Sequence, residues 1–79
     1  MGVEINEYIV ADSEICGGTP TFKNTRIMVW QVIELLAAGI SSEEIITKYF
    51  PELTEDHIKS SLGFAAQLVE KKPKIIIQI

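Results

Sequence analysis

The sequence predicts a small, mainly helical domain: three helices, the last two at helix-turn-helix spacing, with a small β element before them and a short strand after them. Three observations carry this reading. Residues 39–62, GISSEEIITKYFPELTEDHIKSSL, hold two helix starts of the same construction on either side of a proline. Residues 29–38, VWQVIELLAA, repeat apolar side chains at helical period. Residues 1–28 instead carry short β-branched runs broken by Gly, Pro and Asn.

The β element comes first. Residues 5–11, INEYIVA, are apolar and partly β-branched and are expected to form a strand. Asp12, Ser13 and Glu14 break the run, and Gly17-Gly18-Thr19-Pro20 makes a turn or loop. A hairpin is expected next: Thr21-Phe22, a turn at Lys23-Asn24, then residues 25–28. Asn24 suits a left-handed backbone position because its short polar side chain tolerates positive φ.

The first helix is expected over residues 29–38. Val29, Val32, Ile33 and Leu36 form one apolar face, and Gly39 is placed to end the helix in a left-handed conformation. Trp30 falls off that face. Two roles are open to it, packing on the small sheet or anchoring a dimer contact, since Trp is enriched at interface hot spots.

The second helix starts at Ser41, the N-cap of a capping box with Glu44, flanked by Ile40 and Ile45 as a hydrophobic staple. Ile45, Ile46 and Tyr49 are expected to face inward. Pro51 disfavours helical geometry at Phe50 and stops the helix. The third helix starts at Thr54, with Leu53 and Ile58 at staple positions and Glu55 and Asp56 complementing the helix dipole. It runs to about Lys71 with an expected inward stripe of Ile58, Leu62, Ala65 and Val69, and Ala66 and Leu68 beside it. Gly63 costs such a helix about 1 kcal/mol relative to Ala, so a close neighbour is expected there. Pro73 ends the helix.

Lys74-Ile75-Ile76-Ile77-Gln78-Ile79 is strongly β-forming and is expected to pair as a strand. The strand at residues 5–11, of a second copy by preference, is its expected partner, because an exposed apolar strand invites aggregation. The chain thus divides as one domain: a β element at 1–28, a three-helix core at 29–72 and a C-terminal strand at 73–79.

Composition bounds the function. The 79 residues suffice for one modest core, and cores of this size usually need a staple such as oligomerisation. With one cysteine, Cys16, neither an intrachain disulfide nor a cysteine zinc cluster can form. The start of the chain lacks a basic segment and carries Glu4 and Glu7, so no secretory leader is expected, and no apolar run approaches the ~18 residues of a membrane span. A cytoplasmic protein is expected. Seven basic and eleven acidic side chains give a net charge of −4. That balance opposes strong DNA binding by the chain alone, which draws on phosphate neutralisation, and suits a basic protein partner.

No catalytic constellation, metal site or cofactor site assembles from these residues. His57 is the sole histidine and is read as a surface residue near a helix start. Cys16 lacks an evident base and is read as a buried or loop thiol. Gly17-Gly18 lacks the Lys-Ser/Thr ending of a phosphate loop. Arg26 is read as tying the hairpin to Asp12 or Glu14, with a phosphate or a partner carboxylate as the other option.

One set of residues is more specific. The stretches DSEICGGTP at 12–20, NTRI at 24–27, LAAGISSEEI at 36–45 and YFPELT at 49–54 together resemble the prokaryotic family catalogued as domain of unknown function 433. That family's pattern is a Gly-Gly-x-Pro loop, a Gly-Thr-Arg segment, and a helix-turn-helix entered through Gly-x-Ser-x-Glu-Glu-Ile and a Tyr-Pro-x-Leu-Thr turn. The resemblance covers residues 5–68. Asn24 replaces the usual glycine, and Phe50 is inserted between Tyr49 and Pro51, lengthening the turn by one residue.

The resemblance implies a homeodomain-like three-helix core and a VapB-type antitoxin role. An antitoxin of that kind neutralises a ribonuclease toxin, dimerises and represses its own operon. The expected DNA-facing residues are then Thr54, His57, Lys59, Ser60 and Gln67. The expected dimer or partner contacts are Trp30, Ile75, Ile76, Ile77 and Ile79. The competing reading is a protein-interaction module that keeps this fold and binds no DNA. Glu55 and Asp56 favour it, because carboxylates at the start of a recognition helix repel phosphates.

Overall fold

The computed structural model describes residues 2–71. Three short strands, β1 (Gly2–Glu4), β2 (Ile9–Asp12) and β3 (Thr21–Phe22), form an antiparallel sheet in that order. Three helices follow. α1 spans Val29–Ala37; α2 opens as one turn at Ser42–Glu44 and continues as a π-helical stretch over Ile45–Tyr49; α3 spans Glu55–Lys71. The fold is therefore mainly helical with a small sheet.

The strand expected at residues 5–11 begins only at Ile9. Asn6 is the reason: its Oδ1 accepts from the backbone N–H groups of Tyr8 (2.8 Å) and Ile9 (3.0 Å). This Asx turn reverses the chain so that Gly2–Glu4, which carries no strand pattern, pairs back onto β2. β2 is then the middle strand. Both its edges are taken, which leaves it no free edge for the expected pairing with residues 74–79. That C-terminal strand, with Ile75, Ile76, Ile77 and Ile79, lies outside the described residues.

The hairpin at residues 21–28 is present in reduced form. The Phe22 N–H donates to the Ile27 carbonyl at 3.0 Å, Thr21 bridges Met28, and Asn24 sits at φ 64° as its side chain predicts. Before it, Cys16 to Gly18 form a single 3₁₀ turn, and the Cys16 thiol points at the Arg26 carbonyl, 3.7 Å away.

Helix boundaries follow their local signals. Gly39 has φ 90° after α1, and the Ser41 hydroxyl accepts from the Glu44 N–H at 3.1 Å. The Glu44 carboxylate turns to Lys48 (3.6 Å), so the box is completed on one side only. The extra residue Phe50 is absorbed inside the helix. The Phe50 N–H donates to the Ile45 carbonyl at 2.7 Å, an i→i+5 bond that holds one more residue than an α turn. Ile45 and Phe50 consequently point into the core together, and Tyr49, expected inward, is exposed.

The core is formed by Ile9 and Phe22 from the sheet, Ile27, Val29 and Val32 around α1, Ile45 from α2, Leu53 from the turn and Ile58 from α3. The expected stripe of α3 is corrected. Ile58 is buried and Ala65 half-buried, but the next position inward is Ser61, fully buried, while Leu62, Leu68 and Val69 are exposed. The Ser61 hydroxyl donates to the Ile58 carbonyl at 2.7 Å, so its burial leaves no orphan polar group. The sheet packs on the His57–Ser61 side of α3, and a small residue there allows close approach. Gly63 has no such role: a Cβ built on it meets nothing within 4 Å, which overturns the expected close neighbour.

Candidate functional site

α3 carries the surface features of this protein, and its start is built in an unusual way. The N-cap Thr54 is matched not by Glu or Gln but by His57, whose Nδ1 accepts from the Thr54 backbone N–H at 3.0 Å. The Thr54 hydroxyl lies 2.9 Å from the same nitrogen. Accepting at Nδ1 places the neutral ring's proton on Nε2. α1 uses the same reciprocal arm, with Gln31 Oε1 accepting from the Met28 N–H at 3.0 Å. The His57 ring also stands edge-on to Tyr8 (5.0 Å) and to Phe22 (5.5 Å). His57 is therefore half-buried between the sheet and α3, not a free surface histidine.

One turn further on, the Ser60 hydroxyl donates to Asn6 Oδ1 at 3.0 Å, joining α3 to the β1–β2 loop. Of the five expected DNA-facing residues, Thr54, His57 and Ser60 thus make contacts within the fold. Lys59 and Gln67 are exposed. The Glu55 carboxylate accepts from the Ser42 hydroxyl at 3.2 Å, tying the starts of α2 and α3 together.

Beside Ser60 lies an open polar cleft of ≈ 440 Å³ lined by Asn6, Glu7, Tyr8, Asp56, Lys59, Ser60 and Gly63. Partial burial, with the Asp56 and Glu7 carboxylates nearby, pushes the Tyr8 phenol above its ordinary pKa. Asn6 and Tyr8 were not singled out in the sequence; the Asx turn at Asn6 was the available signal, but its contact with Ser60 spans 54 residues.

The C-terminal half of α3 is different. Its outer face carries Leu62 (48% exposed), Ala66 and Val69 (77% exposed) at i, i+4 and i+7, a continuous apolar ridge. On its other side is a groove of ≈ 210 Å³ lined by Thr19, Pro20, Val29, Trp30, Ile33, Phe64, Ala65 and Leu68. Trp30 is 49% exposed, and its neighbours across this groove come from α1, α3 and the Thr19-Pro20 segment rather than from the strands. Trp30 also borders a second groove, beside Glu34, Leu35, Tyr49 and Phe50. Among the described residues no group of three His, Cys, Asp or Glu side chains gathers as a metal site, and no helix is long and apolar enough to cross a membrane.

A helical trio whose second and third members are joined by the five residues Phe50 to Thr54, seated on a small antiparallel sheet, defines a small, mainly helical class of domain. Within that class the chain belongs to the family described as a protein of unknown function, DUF433, whose model matches residues 9–65. No curated protein and no solved structure matches the chain.

Proposed function

We propose that this chain is a non-enzymatic protein-interaction module that pairs with a second copy of itself through α3 and in that form binds another protein. The observation that carries this is the ridge Leu62, Ala66, Val69, a row of apolar side chains facing solvent on a helix that already has a packed face. Isolated exposed apolar residues are ordinary, but a continuous helical row marks a contact surface. A second copy suits it on two grounds. A 79-residue core gains from oligomerisation. Lys59 and Glu70 are both exposed and flank the ridge on the same side, so an antiparallel, two-fold crossing of two α3 helices sets Lys59 of one copy beside Glu70 of the other.

The antitoxin role implied by the family resemblance is the particular form proposed for this module: an acidic dimer that neutralises a ribonuclease toxin. The alternative in which the chain represses its own operon has less in its favour, because Thr54, His57 and Ser60 are engaged internally and Glu55 and Asp56 crowd the start of α3.

The test is light scattering on the purified chain, alone and with the product of the neighbouring gene. The chain alone is expected at about twice its mass, and Leu62→Glu with Val69→Glu is expected to give a folded monomer that no longer co-elutes with the partner. A wild-type monomer at high concentration rejects the dimer. Failure to inhibit RNA cleavage by a nuclease encoded alongside rejects the antitoxin form, and a promoter fragment shifted at low salt would restore the DNA reading.

A further inference from the structure

The second groove that Trp30 borders, of ≈ 340 Å³, runs between α1 and the end of α2. Trp30, Glu34 and Ala38 follow one another at one-turn spacing along one wall, with Gln31 and Leu35 beside them; Tyr49 and Phe50 form the other wall. Among the described residues, Trp30 and Tyr49 are the two exposed aromatic side chains, and both are here. Tyr49 is exposed because of the π turn, which sends Phe50 to the core in its place. Single π turns of this kind recur at functional sites.

The groove's one charge is unpaired. Gln31 Oε1 already accepts from the Met28 N–H at 3.0 Å, and the Trp30 indole nitrogen lies 3.3 Å from the Met28 sulfur. The Glu34 carboxylate makes no hydrogen bond or ion pair among the described residues. No Lys, Arg or His lines the groove, and Lys48, next to Tyr49 in the chain, is paired with Glu44 at 3.6 Å. The last turn of α1 carries no basic side chain either, so the negative end of its dipole, at Ala38, is uncompensated at the same place.

We propose that this groove takes an arginine or lysine side chain of the partner protein, its cation set against the Trp30 and Tyr49 rings and beside the Glu34 carboxylate. This rests on the reading of the chain as a protein-interaction module and says what its partner presents. Aromatic rings attract a cation through their quadrupole, and Trp, Tyr and Arg are the residues in which interface energy concentrates. The net charge of −4 steers a basic surface towards the chain. A phosphate backbone would meet Glu34 and the negative end of α1 and be repelled. A second copy, crossing on a two-fold axis centred here, would set Glu34 against its own equivalent. The cleft beside Ser60 also joins a tyrosine to carboxylates, but Lys59 lines it and supplies a cation from within the chain.

The probe is a blocked pentapeptide carrying two arginines, compared with the same peptide carrying two citrullines, which keep the shape and lose the charge. The readout is the indole N–H resonance of Trp30, the sole tryptophan, in the full-length chain. The arginine peptide is expected to shift it saturably, with a Kd on the order of millimolar. The citrulline peptide is expected to bind about tenfold more weakly, having lost both the ion pair and the cation–π contact. Glu34→Gln and Tyr49→Leu are each expected to weaken the arginine peptide about threefold, the scale of one such exposed contact. Glu43→Gln, which removes the same charge outside the groove, is expected to change little. Equal shifts from the two peptides, no shift from the arginine peptide, or equal losses from Glu34→Gln and Glu43→Gln overturn the proposal. So does a free-chain indole resonance that moves on dilution together with the mass, because a second copy then covers the groove. Mass is followed in the same samples. A dimer that binds no arginine peptide fails the groove and leaves the interaction-module reading standing, whereas a monomer that binds it fails the dimer and leaves the groove.

Discussion

His57 Nδ1 and the backbone nitrogen of Thr54 are 3.0 Å apart, so the third helix is capped by an imidazole where a capping box ordinarily uses Glu or Gln. The same ring is edge-on to Tyr8 and Phe22, so one side chain both starts α3 and seats it on the sheet.

The two roles separate by substitution. His57→Gln keeps an acceptor for the Thr54 N–H and loses the ring; His57→Phe keeps the ring and loses the acceptor. Each is expected to cost about 1 kcal/mol, the usual scale of a lost cap or an aromatic pair. His57→Ala is expected to cost about 2 kcal/mol or more. Urea denaturation measures all three, and an alanine variant as stable as wild type would show that neither contact matters.

The inward face of α3 is tested by Ser61 and Leu62. Ser61→Leu forces extra methylenes into a filled position and is expected to destabilise by roughly 1–3 kcal/mol. Leu62→Ser, on the exposed ridge, is expected to leave monomer stability within about 0.5 kcal/mol. The opposite order would restore the stripe read from the sequence. The measurement is made at concentrations where light scattering shows a monomer.

Gly63 occupies the interior of α3 with open space where a Cβ would sit. Gly63→Ala is therefore expected to stabilise the chain by about 0.5–1 kcal/mol, through helix propensity and a less flexible unfolded chain. A lower melting temperature for this variant would mean that the position is crowded in solution.

Tyr8 links stability to alkaline pH. Its folded pKa is raised, by partial burial first and by the Asp56 and Glu7 carboxylates next. A group raised on folding contributes stability that is complete below its unfolded pKa, near 10, and that is lost as pH rises through the higher folded value. Tyr8→Phe is expected to flatten the alkaline fall in melting temperature as pH rises above about 10. An unchanged slope would mean that the phenol is solvated in the folded chain.

Much of the framework was legible in the sequence, and for one reason. Helix starts and stops are satisfied by partners three or four residues away, so Ser41, Thr54, Gly39 and Pro51 marked the boundaries, and Asn24 marked its left-handed turn. Family membership was legible too, because its loop and turn residues are local signatures.

The tertiary structure decided which surfaces are inside. α3 carries apolar residues on two sides, and periodicity favours Leu62 and Val69 over Ser61. What selects the other face is the sheet, through Tyr8, Phe22 and Asn6, whose contact with Ser60 spans 54 positions. The half-burial of His57 has the same origin, whereas the strand order follows the local Asx turn at Asn6 and the exposure of Tyr49 follows the local i→i+5 bond from Phe50 to Ile45. A local sequence sets the conformation of a segment because short-range hydrogen bonds set it, whereas burial is fixed only when elements far apart in the chain compete for the same apolar surface.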